Sequence, residues 1–141
     1  MDPKILLVED NPDDVMLTKL AFRRAGVTAQ LVVATDGGQA LEQLQNGFSD
    51  LPPACVLLDI KLSTMSGLEV LAWMRQQPKF KRLPVLMLTS SVLPEDINRA
   101  YDLGANSYLL KPTDPDATVE LARVIDRFWL RFNVSAVELT A

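Results

Sequence analysis

Five short apolar runs with no alternation set the architecture: Ile5–Val8, Leu31–Ala34, Cys55–Leu58, Val85–Leu88 and Tyr108–Leu110. An alternating strand has one wet face, whereas an unbroken apolar run of this length reads as a strand buried on both faces. Helix punctuation fills the intervals. Asn11 is a good N-cap, Pro12 suits the first helical position, and Asp13 and Asp14 complement the positive end. That helix, with apolar positions Val15, Leu20 and Phe22, reaches Arg24 or Ala25 before Gly26 stops it. Asp36 caps a second helix with Ala40, Leu41 and Leu44 on its apolar side, ending at Asn46-Gly47 before a loop over 48–53. Gly67 opens a third, in which Leu68, Leu71, Ala72 and Met74 face the sheet. Pro94 starts a fourth, closed by Gly104, and a fifth begins near Asp114-Pro115 and runs past Phe128. Strand and helix alternate as (βα)5, which predicts an α/β fold: a parallel sheet with helices on both faces. One domain spans 1–141, with 128–141 as an extension of the last helix and a tail.

The polar residues that end these runs carry the chemistry. Open parallel sheets place ligand sites at the carboxyl ends of their strands. Asp59 ends the third run, and a carboxylate there is placed at the sheet's edge because full burial is costly. Glu9 and Asp10 follow the first run, Thr89 the fourth and Lys111 the fifth. Three carboxylates in one crevice repel one another and call for pKa shifts or a cation. An all-oxygen ligand set with open positions suits Mg2+. A carboxylate beside Mg2+ and a lysine can accept a phosphoryl group, with Thr89 offering a hydroxyl. Taken singly, each has a plainer reading. Glu9-Asp10 resembles a helix-capping pair and Thr89-Ser90-Ser91 an ordinary turn. Their recurrence after four of five runs is what favours a site.

Composition excludes several classes. Net charge is −4, against a general nucleic-acid surface, and the cluster Lys79, Lys81, Arg82 and Arg75 reads as solvated loop. The chain has no histidine, which removes His-based catalysis and any phosphodonor role. Its single cysteine, Cys55, lies in an apolar run and reads as a small buried hydrophobe. No run approaches a membrane span and no secretory leader precedes the first strand, so a cytoplasmic protein is expected.

The motifs Leu6-Leu7-Val8-Glu9-Asp10-Asn11-Pro12, Leu57-Leu58-Asp59-Ile60-Lys61-Leu62 with Gly67 eight residues after Asp59, Leu88-Thr89-Ser90, and Tyr108-Leu109-Leu110-Lys111-Pro112 resemble those of two-component response-regulator receiver domains. The resemblance covers residues 4–127. It implies a flavodoxin-like sheet of order 2-1-3-4-5, with Asp59 the phosphoacceptor for a sensor histidine kinase. It implies Mg2+ held by Asp10, Asp59 and the Lys61 backbone carbonyl, with Glu9 acting through metal-bound water. Lys111 would pair with the acceptor and then the phosphoryl group, Thr89 and Tyr108 would be the switch pair, and the Lys111–Pro112 bond would be cis. Ser63 stands where the family often has proline, and Lys61 where many members have asparagine.

No output domain follows, so a receiver that signals by contact is expected. On the last helix, Ala122, Ile125, Trp129 and Phe132 form one apolar stripe and Leu121, Val124 and Phe128 another, a wider arc than one sheet-facing side requires. A homodimer through helix 4, strand 5 and helix 5, with Phe128, Trp129 and Phe132 at its interface, is the expectation. The Phe-Trp-Leu ending also resembles regulators paired with bacterial phytochrome kinases. Three competitors stand beside this reading. A phosphatase of similar fold needs a second acid two residues after the nucleophile, where this chain has Lys61. A pseudo-receiver would dock without phosphorylation. A flavin carrier would need phosphate donors where Glu9 and Asp10 stand.

Overall fold

The computed structural model describes residues 2–48 and 51–136; the remainder of the tail, 137–141, and part of the 48–53 loop lie outside them. Strands β1 (Lys4–Val8), β2 (Gln30–Ala34), β3 (Cys55–Leu58), β4 (Val85–Thr89) and β5 (Ser107–Leu110) form one parallel sheet in the order 2-1-3-4-5. The helices are α1 (Pro12–Arg24), α2 (Gly37–Glu42), α3 (Gly67–Gln76), α4 (Pro94–Asp102) and α5 (Pro115–Ile125). Two of them widen at their ends into π-helix: α2 over Gln43–Gly47 and α5 over Asp126–Phe132.

The absence of alternation in the strands is explained by two cores. Ile5, Leu7, Cys55, Leu57 and Leu86 point one way, onto Ala21 and Phe22 of α1 and Val119, Ala122 and Ile125 of α5. Leu6, Val8, Val56, Leu58, Val85 and Met87 point the other way, onto α2, α3 and α4. Cys55 is fully enclosed, and burial pushes its thiol up to about 12, well away from thiolate chemistry.

The Asn11 cap forms as the sequence implies, its side chain accepting from the backbone N–H of Asp13 and Asp14. On α3, Ser66 and Glu69 add a reciprocal capping box. The inward faces differ in detail. On α1 the buried set is Thr18, Ala21 and Phe22, spaced i, i+3, i+4, which leaves Leu20 exposed. On α3, Val70 enters the core and Ala72 is only half-buried.

Arg75 is no part of a solvated basic loop. Its guanidinium donates to the carbonyls of Gly104 (2.8 and 3.0 Å), Phe80 (2.9 Å) and Leu83 (2.9 Å) and to Asn106 Oδ1 (3.1 Å). It clamps the end of α3 to the turns that enter β4 and β5.

The expected apolar stripe of Ala122, Ile125, Trp129 and Phe132 on the last helix is broken by its π-turns. An i→i+5 turn is wider than an α-turn, so the side-chain phase drifts. Trp129 packs back against the α1/α5 core, with Phe128 edge-on against it at a 4.9 Å centroid distance. Phe132 is carried outward and is 72% exposed.

Candidate functional site

Sheet register brings the sequence-distant polar residues together. Val8 lies opposite Leu58 in one neighbouring strand and Ala34 in the other, and Thr89 lies opposite Leu110. The ladder continues one rung past the strands: Asp59 N–H donates to Val8 O, Glu9 N–H to Ala34 O and Lys111 N–H to Thr89 O. Glu9, Asp59, Thr89 and Lys111 therefore sit on one edge. Gly67 N–H donates to Ile60 O at 2.8 Å, closing the β3–α3 loop so tightly that a Cβ on Gly67 would run into the Asp59 carbonyl. Within that loop Thr64 has φ +70°, a left-handed conformation unusual for a β-branched residue.

Both Asp59 and Glu9 are buried rather than exposed at the edge. Lys111 makes that possible. Its Nζ lies 2.5 Å from Glu9 Oε1, 2.7 Å from Asp59 Oδ2 and 2.8 Å from Asp14 Oδ2. An ammonium has three N–H donors, and all three are occupied. Burial alone would lower the lysine's pKa, but hydrogen bonds to Asp14, Asp59 and Glu9 outweigh it and hold Lys111 above its ordinary value. Burial also dominates at Glu9, whose carboxyl is raised to about 7, with the Asp59 charge adding to the rise and Lys111 opposing it. Its other oxygen accepts from Asn11 N–H at 3.2 Å.

One carboxylate oxygen from each of Glu9, Asp10 and Asp59 lies within 4.8 Å of the others. That donor set, hard and all oxygen, fits a divalent cation of the Mg2+ or Mn2+ kind.

Thr89 is buried beside them, and its Oγ1 accepts from Ser91 N–H at 3.4 Å. Tyr108 is half-buried and its hydroxyl donates to Ser91 O at 3.0 Å, so both side chains meet the loop between β4 and α4. Burial raises the Tyr108 phenol above its usual value.

The Lys111–Pro112 bond corrects the sequence expectation. No cis peptide occurs among the described residues, and this bond is trans. The trans form is the intrinsic preference, by about 0.5–1 kcal/mol before proline, and with it Lys111 already reaches all three carboxylates.

Asp14 is the member that the sequence reading missed. In the first turn of α1 its type is explained by the helix dipole, and nothing in the local sequence selects it, rather than Asp13, for Lys111.

The sequence matches the response regulator receiver domain family over residues 5–123. The chain belongs to that family. The receiver is 38% identical over 133 residues to the probable methanogenesis regulatory protein FilR2 of Methanothrix harundinacea, covering 93% of this chain and 86% of that protein. It is 35% identical over 129 residues to the response regulator Rcp1 of a Synechocystis species, covering 89% and 88%. A crystal structure of Rcp1 in a Mn2+-bound form superimposes with a TM-score of 0.83 at 33% identity, covering 96% and 99%. That of the phosphorylated cyanobacterial phytochrome response regulator RcpA does so with 0.88 at 32% identity, covering 97% of this chain and all of the other. Sheet order and sequence thus agree: this is a flavodoxin-like receiver, and its function lies in phosphorelay signalling.

Proposed function

We propose that Asp59 is the phosphoacceptor of this receiver and that its phosphorylation switches a protein-interaction surface. The observation that carries this reading is the Lys111 ammonium held 2.7 Å from Asp59 at the crevice where Glu9, Asp10 and Asp59 converge. Those carboxylates, with the Lys61 backbone carbonyl, would hold Mg2+, which supplies positive charge against the transferring phosphoryl oxygens. An Asp59 oxygen attacks phosphorus, the P–N bond of a sensor kinase's phosphohistidine breaks, and the imidazole leaves. Lys111 and the Thr89 hydroxyl then face a group of about −2 charge at neutral pH. Thr89 turning toward it opens space for Tyr108 to move inward, which biases the α4–β5–α5 surface between two states. Water cleaves the acyl phosphate and resets the protein, so its chemistry is on itself.

Similarity to the phytochrome response regulator RcpA supports a phytochrome-type histidine kinase as the partner. A homodimer through α4, β5 and α5 is supported by exposed Tyr101, Leu110, Val124, Phe128 and Phe132. Net charge −4 supports a partner other than nucleic acid. We read residues 1–141 as one cytoplasmic receiver domain in which the last helix runs on past Phe128 to Phe132; no helix among the described residues is long and apolar enough to cross a membrane.

The test is intact mass after incubation with acetyl phosphate, with Mg2+ or with EDTA, for wild type and Asp59→Asn. A gain of one phosphoryl group that needs both the metal and Asp59 is expected. No gain in the wild type, or an equal gain in Asp59→Asn, overturns the assignment.

A further inference from the structure

Lys111 has three carboxylate partners, and they are not equivalent. Glu9 and Asp59 belong to the group of acids whose oxygens converge closely enough to share a cation; Asp14 does not. Their side chains are 4% and 8% exposed, whereas that of Asp14 is 34% exposed. A cation in the crevice can draw Glu9 and Asp59 oxygens away from the ammonium. It has no such claim on Asp14, which is carried by α1 and anchored by its own N–H to Asn11 Oδ1 at 3.2 Å.

All three N–H donors of Lys111 are engaged, so a phosphoryl oxygen can reach the ammonium only as a carboxylate lets go. The carboxylate with access to water releases at least cost, because solvent replaces the lost hydrogen bond there and cannot at the two buried ones.

We infer that Asp14 is a positioning residue that holds the Lys111 ammonium toward α1 and competes with the incoming phosphoryl group for it. This rests on the reading of Asp59 as phosphoacceptor and goes beyond it by naming a residue that sets the rate. Asp14 neither touches the reacting atoms nor holds the metal; it acts through Lys111. In the step it governs, an Asp59 oxygen forms a bond to phosphorus of the donor while the bridging P–O bond breaks and acetate leaves. The charge that moves onto the phosphoryl oxygens is met by Lys111 once Asp14 has yielded. Replacing Asp14 by Asn removes the competing charge while keeping a side chain of the same shape. Asp13 lies on the same helical turn with the same charge, and Lys111 makes no ion pair with it.

The experiment follows phosphorylation by acetyl phosphate at saturating Mg2+, by intact mass against time and donor concentration. It compares wild type, Asp59→Asn, Asp14→Asn and Asp13→Asn, with melting temperatures recorded for each. Losing one partly exposed charge-assisted hydrogen bond to Lys111 is expected to speed Asp14→Asn by roughly three- to tenfold. The Asp13→Asn rate is expected to stay within about twofold of wild type, since a surface charge that makes no contact is largely screened. A purely structural lesion lowers the melting temperature and does not produce a gain in rate. Phosphorylation confined to proteins that retain Asp59, with Asp14→Asn no faster than Asp13→Asn, overturns the role of Asp14 alone. No gain in the wild type, or an equal gain in Asp59→Asn, overturns the phosphoacceptor reading and this inference with it.

Discussion

Glu9 concentrates the electrostatic cost of the crevice. It is buried beside Asp59, and its carboxyl is raised from 4.5 to about 7 with burial as the main cause. A carboxyl with a raised folded-state pKa binds more protons folded than unfolded, so stability falls as pH rises. The cost is absent below the unfolded value of 4.5, grows through the window up to about 7, and is complete above it. It amounts to roughly 3 kcal/mol over the whole window. Lys111 stays charged throughout, its pKa being raised. In EDTA, the free energy of unfolding is expected to decline between pH 5 and pH 8, and Glu9→Gln should remove most of that decline. Urea titrations across the range measure it; an unchanged slope in the variant would place the titrating group elsewhere. Residue types were legible at this scale: Glu9, Asp59, Thr89 and Lys111 meet where the ends of their strands predicted. The third partner of Lys111 was not. Asp13 and Asp14 are interchangeable in a local reading, and only the docking of α1 separates them.

Elements were legible where hydrogen-bond chemistry is local, as in the Asn11 cap of α1 and the Asp36 cap of α2. They were illegible where a side chain binds backbone far away. Arg75 follows Trp73 and Met74 in sequence and lies near Lys79, Lys81 and Arg82, which made it look like one more surface charge. Its partners, 5 to 31 residues distant, are mostly carbonyls, which carry no sequence signal. Removing the guanidinium leaves these acceptors at the turns entering β4 and β5 without a donor. Arg75→Met is expected to cost about 2–4 kcal/mol. For a chain of this size that lowers the melting temperature by roughly 10 °C. Arg75→Lys should recover little of it, because an ammonium is a point charge and lacks the planar fork. Thermal unfolding by circular dichroism measures both, and full recovery by lysine would show that charge alone suffices. Phosphorylation should persist in either variant, since the clamp lies at the amino-terminal end of the strands, opposite the crevice. The π-turns were hidden for a related reason: the apolar pattern of the last helix is compatible with 3.6 residues per turn, and the departure from it lies in backbone packing.

For the molecule as a whole, two cores on one sheet explain why five unbroken apolar runs were enough to predict the doubly wound fold. The apolar surface left over points to assembly. α1 and α5 close one face and α2 to α4 the other, yet Tyr101 on α4, Leu110 on β5, and Val124, Phe128 and Phe132 along the last helix remain exposed. β5 is an edge strand, so this surface also borders unpaired backbone. Trp129 is half-buried in its own domain and supports Phe128 edge-on, which pre-orders that ring without ordering cost at an interface. Aromatic residues so placed carry a large share of binding energy when a second copy covers them. Phe128→Ala with Phe132→Ala is therefore expected to weaken self-association by at least about thirty-fold, while the chain stays folded because neither ring lies in a core. Sedimentation velocity over a concentration series, for the unphosphorylated protein and after acetyl phosphate with Mg2+, measures the effect. A wild type that stays monomeric in both states would rule the homodimer out. A dimer that survives the double substitution would move its interface away from the last helix. A dimer present only after phosphorylation would tie the surface to the Thr89–Tyr108 switch, since Tyr108 lies on β5, within that surface.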